Sequence, residues 1–143
     1  MLVREISTGV QAAVAITNKG KPLIPDHKLL FVPCQTADEA HYLTAVLNSA
    51  IMNAYAKALM ISTHYSTKMI ALLRISVYDS GNKLHCDLAR LSRRAHSVTN
   101  VATDSEPRES LESLEAEMDV AVAQLLGVSH QDLRFIKQWV RSS

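Results

Sequence analysis

The feature that most constrains this chain is a segment between residues 36 and 60 in which apolar residues recur every three or four positions. Such spacing is typical of a helix that buries one face. Thr36 is the predicted N-cap, and Glu39 three residues later completes a capping box. We therefore predict one long packed helix from Thr36 to Met60. Many residues on its buried face are small, which allows close packing: Ala40, Leu43, Leu47, Ala50, Ile51, Ala54 and Ala58.

Short strands are predicted ahead of this helix. Met1–Ser7 and Val10–Thr17 are short apolar stretches, and Asn18–Lys21 contains the Asn and Gly that favour a tight reversal. Lys28–Val32 is an apolar run bounded by prolines, which is typical of a strand covered on both faces. The first third of the chain is therefore predicted to form a small β-sheet.

Helical spacing returns in the second half of the chain. Met69–Tyr78 is predicted as a helical turn that leads into a strand from Arg74 to Tyr78. A helix is predicted over Leu84–His96, with its leucines facing inward. Three basic residues of this helix face solvent: Arg90, Arg93 and Arg94.

Two further helices are predicted at the C-terminal end. Apolar residues from Leu111 to Leu125 mark a long amphipathic helix, and Gly127 ends it as a left-handed cap. Ser129, with Asp132 three residues later, begins a last short helix. We expect these two helices to form a hairpin that packs on the rest of the protein.

Length and composition place these elements in one domain of the α+β class. The chain has 143 residues, 48% hydrophobic and 20% charged, with a net charge of +1. A disordered tail would have few apolar residues and a large net charge, so that class is excluded. We expect a small N-terminal β-sheet with a long packed helix, followed by a C-terminal helical hairpin. The α+β part spans residues 1–96, and the hairpin spans residues 108–141.

The cellular setting is predicted from what the sequence lacks. Cys34 and Cys86 are too few for a secreted disulfide scaffold. Polar residues interrupt the apolar-rich stretch from Tyr42 to Ile61, so we expect no membrane span. The N-terminus also lacks the pattern of a secretory signal. We expect a cytoplasmic protein.

Charge is distributed unevenly along the chain. From Lys57 to Asn100 there are seven basic residues and two acidic ones, Asp79 and Asp87, a balance of +5. A basic middle third is typical of a surface that binds a polyanion, and it is equally typical of a solvated helix face. From Val101 onward eight acidic residues outnumber four basic ones. We interpret these acidic residues as the solvated face of their helix.

No constellation of residues indicates catalysis. The four glycines form no phosphate-binding loop, and the sequence contains no Cys-x-x-Cys pair. His27, Cys34 and His41 lie seven residues apart on different predicted elements, which is not a metal-site pattern. Both cysteines adjoin apolar runs, where unreactive burial is the usual outcome. We therefore expect no catalytic, cofactor-binding or metal-binding residues in this chain.

The candidate binding site is the polar segment over residues 62–68. It combines hydroxyl groups, an imidazole, a phenol and an ammonium group, which are side chains that contact phosphates or stack on bases. The alternative is a surface loop that makes only its own turn hydrogen bonds. The predicted DNA-binding residues are Ser62, Thr63, His64, Tyr65, Thr67, Lys68 and Arg74.

Several short segments occur in an order that is typical of one protein family. These segments are Pro25–Cys34, Asp38–Leu43, Val46–Ser49, Ser62–Thr63, Leu84–His85, Leu91–His96 and Gly127–Leu133. The series resembles the C-terminal target-recognition region of type II adenine-specific DNA methyltransferases. This region is the TaqI-like specificity domain of restriction–modification proteins. The resemblance covers nearly the whole chain.

The resemblance implies DNA recognition and no chemistry in this chain. In that family a separate catalytic domain binds S-adenosylmethionine and carries an Asn-Pro-Pro-aromatic motif. Here no Asn precedes a Pro, so the catalytic methyltransferase domain is absent from the sequence. We expect the chain to bind double-stranded DNA and position it for a methyltransferase catalytic domain or subunit. Asn48 and Ser49 are expected to satisfy neighbouring backbone groups rather than contact DNA.

The alternative function is a protein–protein interaction or dimerisation module. The acidic helix from Glu109 to Leu126 has an apolar stripe that another chain could cover, and a net charge near zero favours association. Light scattering would separate the two functions, because a strict monomer that binds DNA fits only the first.

Overall fold

The computed structural model describes residues 1–5, 9–16, 24, 26–59, 67–100 and 110–142. Within these ranges a small sheet precedes a set of helices, so the predicted α+β class is confirmed. The strands are β1 (Leu2–Arg4), β2 (Ala12–Ala13) and β3 (Leu29–Phe31). The helices are α1 (Ala37–Asn48), α2 (Ala50–Leu59), α3 (Thr67–Leu72), α4 (Lys83–Asn100), α5 (Leu111–Leu126) and α6 (His130–Ser142).

The sheet has the strand order β2-β1-β3 and is antiparallel throughout. Val3 in the central strand is fully buried, and it pairs with Ala12 on one side and Leu30 on the other. The prediction that Lys28–Val32 is covered on both faces is wrong. Leu30 packs against the core, but Phe31 points to the opposite face and is 55% exposed. The sheet therefore packs on the core through one face only.

The long helix predicted from Thr36 to Met60 is interrupted at Ser49, so this prediction is corrected to two helices, α1 and α2. Ser49 has φ −65° and ψ 153°, which is extended backbone. Its hydroxyl donates to the carbonyl oxygen of Val46 at 2.7 Å. A serine side chain that bonds the backbone in this way competes with the helical hydrogen bonds.

The predicted cap residues are confirmed, although the carboxylate of Glu39 accepts the N–H of Gln35 rather than that of Thr36. The hydroxyl of Thr36 accepts the backbone N–H of Glu39 at 3.1 Å. Gly127 ends α5 with a φ of 68°, in the left-handed region that favours glycine. At the start of α6, the hydroxyl of Ser129 accepts the backbone N–H of Asp132 at 3.1 Å.

The strand predicted from Arg74 to Tyr78 is wrong. The preceding helical turn is present as α3, but Arg74 then has a positive φ of 47°. That conformation lies outside the β region, so the segment cannot enter a regular strand at this residue. Residues 74–79 connect α3 to α4 and do not pair with the described strands.

Helix α4 packs against both α1 and α5 and is longer than the predicted Leu84–His96. Its inner face contributes Leu88, Leu91 and Ala95 to the core. The arginines predicted to face solvent are exposed. No helix within the described ranges has the length and hydrophobicity needed to cross a bilayer.

The two C-terminal helices pack on the rest of the protein, and α6 lies against α2 as well as α5. The ammonium group of Lys57 on α2 donates to the carbonyl oxygen of Val140 at 3.0 Å. One acidic residue of α5, Asp119, is only 7% exposed, so its predicted place on a solvated face is wrong. Its carboxylate accepts the N–H of Ala50 at 2.8 Å and pairs with Lys137 at 2.7 Å.

Candidate nucleic-acid interface

The structure describes only part of the predicted binding segment. Four of its residues, Ser62, Thr63, His64 and Tyr65, lie outside the described residues. Thr67 is the first residue of α3, and the structure describes its backbone but not its side chain. The remaining two predicted contacts, Lys68 on α3 and Arg74 after it, are exposed.

A larger group of exposed cations lies on α4. Lys83, Arg90 and Arg94 are spaced by seven and four residues, so they share one face of this helix. Arg93 lies beside them, and all four residues are exposed. The helix has 18 residues, which corresponds to about 27 Å, roughly three quarters of one turn of a DNA duplex. We call the exposed side of α4 that carries these four residues the cationic face.

Two carboxylates pair with these cations, and a third, Glu117 on α5, lines the same groove as Arg90 and Arg94. Asp87 pairs with Lys83 at 2.7 Å and with Arg90 at 2.8 Å. The hydrogen bond from Lys83 lowers the pKa of Asp87 below its ordinary value, so the carboxylate is ionised at neutral pH. Arg93 pairs with Asp38 in the first turn of α1. Ion pairs on the surface contribute little to stability, so the cations can exchange these partners for phosphate oxygens.

Two histidines connect the side of α4 away from the cationic face to neighbouring elements: His96 on α4, which is half-buried, and His41 on α1, which is buried. The ring of His96 accepts the backbone N–H of Val14 at 3.1 Å through Nε2. Its Nδ1 lies 2.8 Å from the carbonyl oxygen of Ser92, so Nδ1 carries the proton and donates. His41 on α1 lies with its Nδ1 3.1 Å from the hydroxyl of Ser92. Burial, with the nearby His96 and Arg93, lowers the pKa of His41 to about 4, so this ring is neutral.

A second contact connects α4 to the segment that contains Arg74. Nδ1 of His85 accepts the backbone N–H of Asp79 at 3.0 Å, and its ring lies 4.5 Å from the ring of Tyr42. The hydroxyl of Tyr42 in turn lies 2.7 Å from the hydroxyl of Ser76. Residues 74–79 are therefore held against α1 and α4 at two points.

Most of the remaining polar groups form hydrogen bonds within the protein. A cavity of about 230 Å³ lies between α1, α4 and α5. Asn48 and Asp119 line it, but their side chains bond to backbone groups of other elements. Burial raises the pKa of the Cys34 thiol, which keeps it in the unreactive protonated form. Among the described residues no group of three or more His, Cys, Asp or Glu side chains is arranged to hold a metal ion.

Sequence reasoning placed the arginines of α4 on a solvent-facing side but did not include them among the binding residues. Part of the signal was present in the spacing of Arg90 and Arg94, which places them on one face of the predicted helix Leu84–His96, whereas Lys83 lay just outside it. Comparisons with protein-family models, with curated proteins and with solved structures find no match for this chain. The site is therefore interpreted from its own residues.

Proposed function

We propose that this chain is a DNA target-recognition module of a restriction–modification, adenine-specific DNA methyltransferase. In this proposal it binds duplex DNA and positions it for a methyltransferase catalytic domain or subunit carried elsewhere. The observation that carries the proposal is the cationic face of α4, where Lys83, Arg90, Arg93 and Arg94 are all exposed on one helix. Lys68 and Arg74 add two exposed cations from the preceding segment.

The way in which enzymes modify a base in duplex DNA supports this function. An enzyme that modifies a base inside a duplex must first extrude it, which costs a few kcal/mol of stacking and pairing. Contacts to phosphates hold the duplex in register while that happens. A rigid helix whose inner face is buried and whose outer face is cationic is suited to such contacts.

The carboxylates on this face predict weak and salt-sensitive binding. Asp87 and Asp38 already partner three of the cations. DNA binding must displace these pairs, so part of the attraction to phosphate is lost. Each phosphate that the protein neutralises also makes the affinity fall more steeply with salt.

Fluorescence anisotropy with a labelled duplex of about 25 base pairs, titrated between about 50 and about 200 mM salt, tests the proposal. The double variant Arg90→Ala/Arg94→Ala should bind about tenfold more weakly and reduce the salt slope by about two units. The matched control is Arg134→Ala/Arg141→Ala, which removes the same charge from exposed positions of α6.

A third variant tests the ion pairs directly. Asp87→Asn removes the carboxylate that pairs with Lys83 and Arg90, so we expect it to bind DNA more tightly than the unmodified chain. Equal losses of DNA affinity in the two arginine double variants would show that the cationic face is not the DNA-binding surface. Absence of duplex binding at low salt, or an affinity that does not change with salt, would contradict the function itself.

A further inference from the structure

The apolar stripe of α5, which the sequence suggested another chain could cover, is not available for such a contact. Leu114, Met118 and Val122 are all buried, and α5 packs against α4. A different feature of the molecule points to a ligand: a polar pocket beside the cationic face.

This pocket has a volume of about 460 Å³ and lies where α1, the C-terminal half of α4 and the segment after β2 meet. It adjoins the cationic face through Arg93. Among the described residues, none of the six that line it carries a carboxylate: Val14, Ile16, His41, Arg93, His96 and Ser97. The lining therefore favours an anion over a cation.

One nitrogen of the buried His41 is open to this pocket. His41 is 5% exposed, and its Nδ1 lies 3.1 Å from the hydroxyl of Ser92. Within the described part of the chain, its Nε2 has no hydrogen-bond partner. Nε2 is not an enclosed atom either, because the hydroxyl of Thr44 is the one fully enclosed side-chain polar atom without a partner among the described residues. Nε2 therefore reaches the pocket that its ring lines.

The hydroxyl of Ser92 indicates which nitrogen of His41 carries the proton. Ser92 is 2% exposed, and in the described part of the chain its hydroxyl has a single hydrogen-bond partner, Nδ1 of His41. The hydroxyl donates to Nδ1, because a buried donor without an acceptor costs free energy. A neutral imidazole that accepts at Nδ1 carries its proton on Nε2. The ring thus presents an N–H donor to the pocket.

Arg93 supplies further donors at the same pocket. One of its N–H groups donates to Asp38, and a guanidinium has others that point in different directions. The pKa of His41 is lowered first by burial and then by the charges of His96 and Arg93, which outweigh that of Asp38. An anion in the pocket would offset these positive charges.

The other two polar residues form the walls of the pocket and add no donor. Both ring nitrogens of His96 are already bonded to the backbone. The hydroxyl of Ser97 donates to the carbonyl oxygen of Arg93 at 3.0 Å. Val14 and Ile16 line the pocket with apolar groups, and Ile16 is 66% exposed.

We propose that this pocket binds a phosphoryl group, with Nε2–H of His41 and the guanidinium of Arg93 donating to its oxygens. Arginine is well suited to phosphate because its N–H groups match two oxygens at once. The carboxylate of Asp38 competes for Arg93, so the binding should be weak. The site is defined by its own residues and does not require that the cationic face binds DNA.

Proton–nitrogen correlation NMR spectra of the histidine rings, recorded on the full chain during a titration with inorganic phosphate, test this proposal. Sodium chloride keeps the ionic strength constant, and His41→Gln identifies the resonance of its Nε2. We expect that resonance to shift with a dissociation constant on the order of 1 mM.

Two matched pairs of variants test the residues of the pocket. Arg93→Gln should bind phosphate about tenfold more weakly, whereas Arg90→Gln, at an exposed position of α4 outside the pocket, should bind it like the unmodified chain. Ile16→Glu places a carboxylate in the lining and should also weaken binding about tenfold. Ile24→Glu, at a residue that is 86% exposed and outside the lining, should not. Far-ultraviolet circular dichroism of each variant checks that it is folded.

A phosphoryl group can be free or part of a DNA backbone, so a duplex of about 25 base pairs replaces inorganic phosphate in a second titration. A shift of Nε2 with inorganic phosphate identifies a free phosphate group as a ligand, and a shift with the duplex alone identifies a backbone phosphate. The proposal is overturned if Nε2 of His41 responds to neither, or if Arg90→Gln weakens binding as much as Arg93→Gln. Duplex binding measured by anisotropy is a separate observation, so failure of the pocket and failure of the proposed function can be told apart.

Discussion

Single polar side chains connect the sheet of this protein to its helices. The amide of Asn48 accepts the N–H of Ala12 at 2.8 Å and donates to the carbonyl oxygen of the same residue at 2.9 Å. Asn53 accepts the N–H of Val10 at 2.6 Å. Gly9 allows this close approach, because a Cβ there would lie 2.6 Å from Oδ1 of Asn53. The outer edge of β2 thus finds its hydrogen-bond partners in side chains, and the prediction that Asn48 satisfies backbone groups is confirmed.

Replacing Asn48 with alanine should therefore destabilise the protein by about 2 kcal/mol. The variant removes both side-chain hydrogen bonds to the backbone of Ala12, and each such bond contributes about 1 kcal/mol. Urea denaturation followed by circular dichroism measures the change. Gln138→Ala, which removes an exposed amide from α6, should change stability by less than about 0.5 kcal/mol. Similar small losses in both variants would contradict a structural role for Asn48.

Among the secondary-structure elements, the break between α1 and α2 is stabilised by a residue far away in the sequence. The carboxylate of Asp119 on α5 accepts the N–H of Ala50, the first residue of α2. An acidic group at this end of a helix is favoured by the helix dipole. The same carboxylate pairs with Lys137 on α6. One buried carboxylate therefore joins three helices.

Asp119→Ala should cost about 2–3 kcal/mol of stability, because it removes the acceptor at Ala50 and the partner of Lys137. Asp119→Asn should cost less, since an amide oxygen can still accept the N–H of Ala50. Urea midpoints at low protein concentration measure both effects. Glu117→Gln, an exposed position on the same helix, is the control. If Asp119→Ala lowered stability no more than this control does, the contact of Asp119 with the three helices would not contribute to stability.

The sequence predicted the features that depend on neighbouring residues, and it failed for those that depend on contacts between distant residues. Thr36, Gly127 and Ser129 act on their own helix ends, so local patterns predicted them correctly. The break at Ser49 and the burial of Asp119 depend on contacts between distant elements, for example the 2.8 Å bond from Ala50. A helical periodicity carries no information about such contacts, and it therefore predicted a continuous helix and a solvated carboxylate.

In the molecule as a whole, α4 joins the core to the proposed binding surface. Its leucines were predicted to face inward and its arginines outward. The structure confirms this for Leu88, Leu91 and the arginines, whereas Leu84 is only half-buried. The role of its histidines was not foreseen, because His85 and His96 bond to backbone groups that precede α4 in the chain. Sequence spacing shows which residues share a helix face, but it does not show what that face meets.

The buried His41 beside α4 makes the stability of the whole protein depend on pH. Its pKa is about 4 in the folded protein against an ordinary value of 6.5, so the unfolded chain binds a proton more readily. Protonation therefore favours unfolding: the contribution of His41 is complete above about pH 6.5 and is lost as the pH falls toward 4. Between about pH 7.5 and about pH 5 the free energy of unfolding should fall by about 2 kcal/mol from this group alone.

Urea denaturation at the two pH values, with each variant compared with itself, measures this loss. His41→Gln should remove it, whereas His130→Gln, at an exposed position, should retain it. An unchanged pH dependence in His41→Gln would show that this imidazole is not what couples stability to pH.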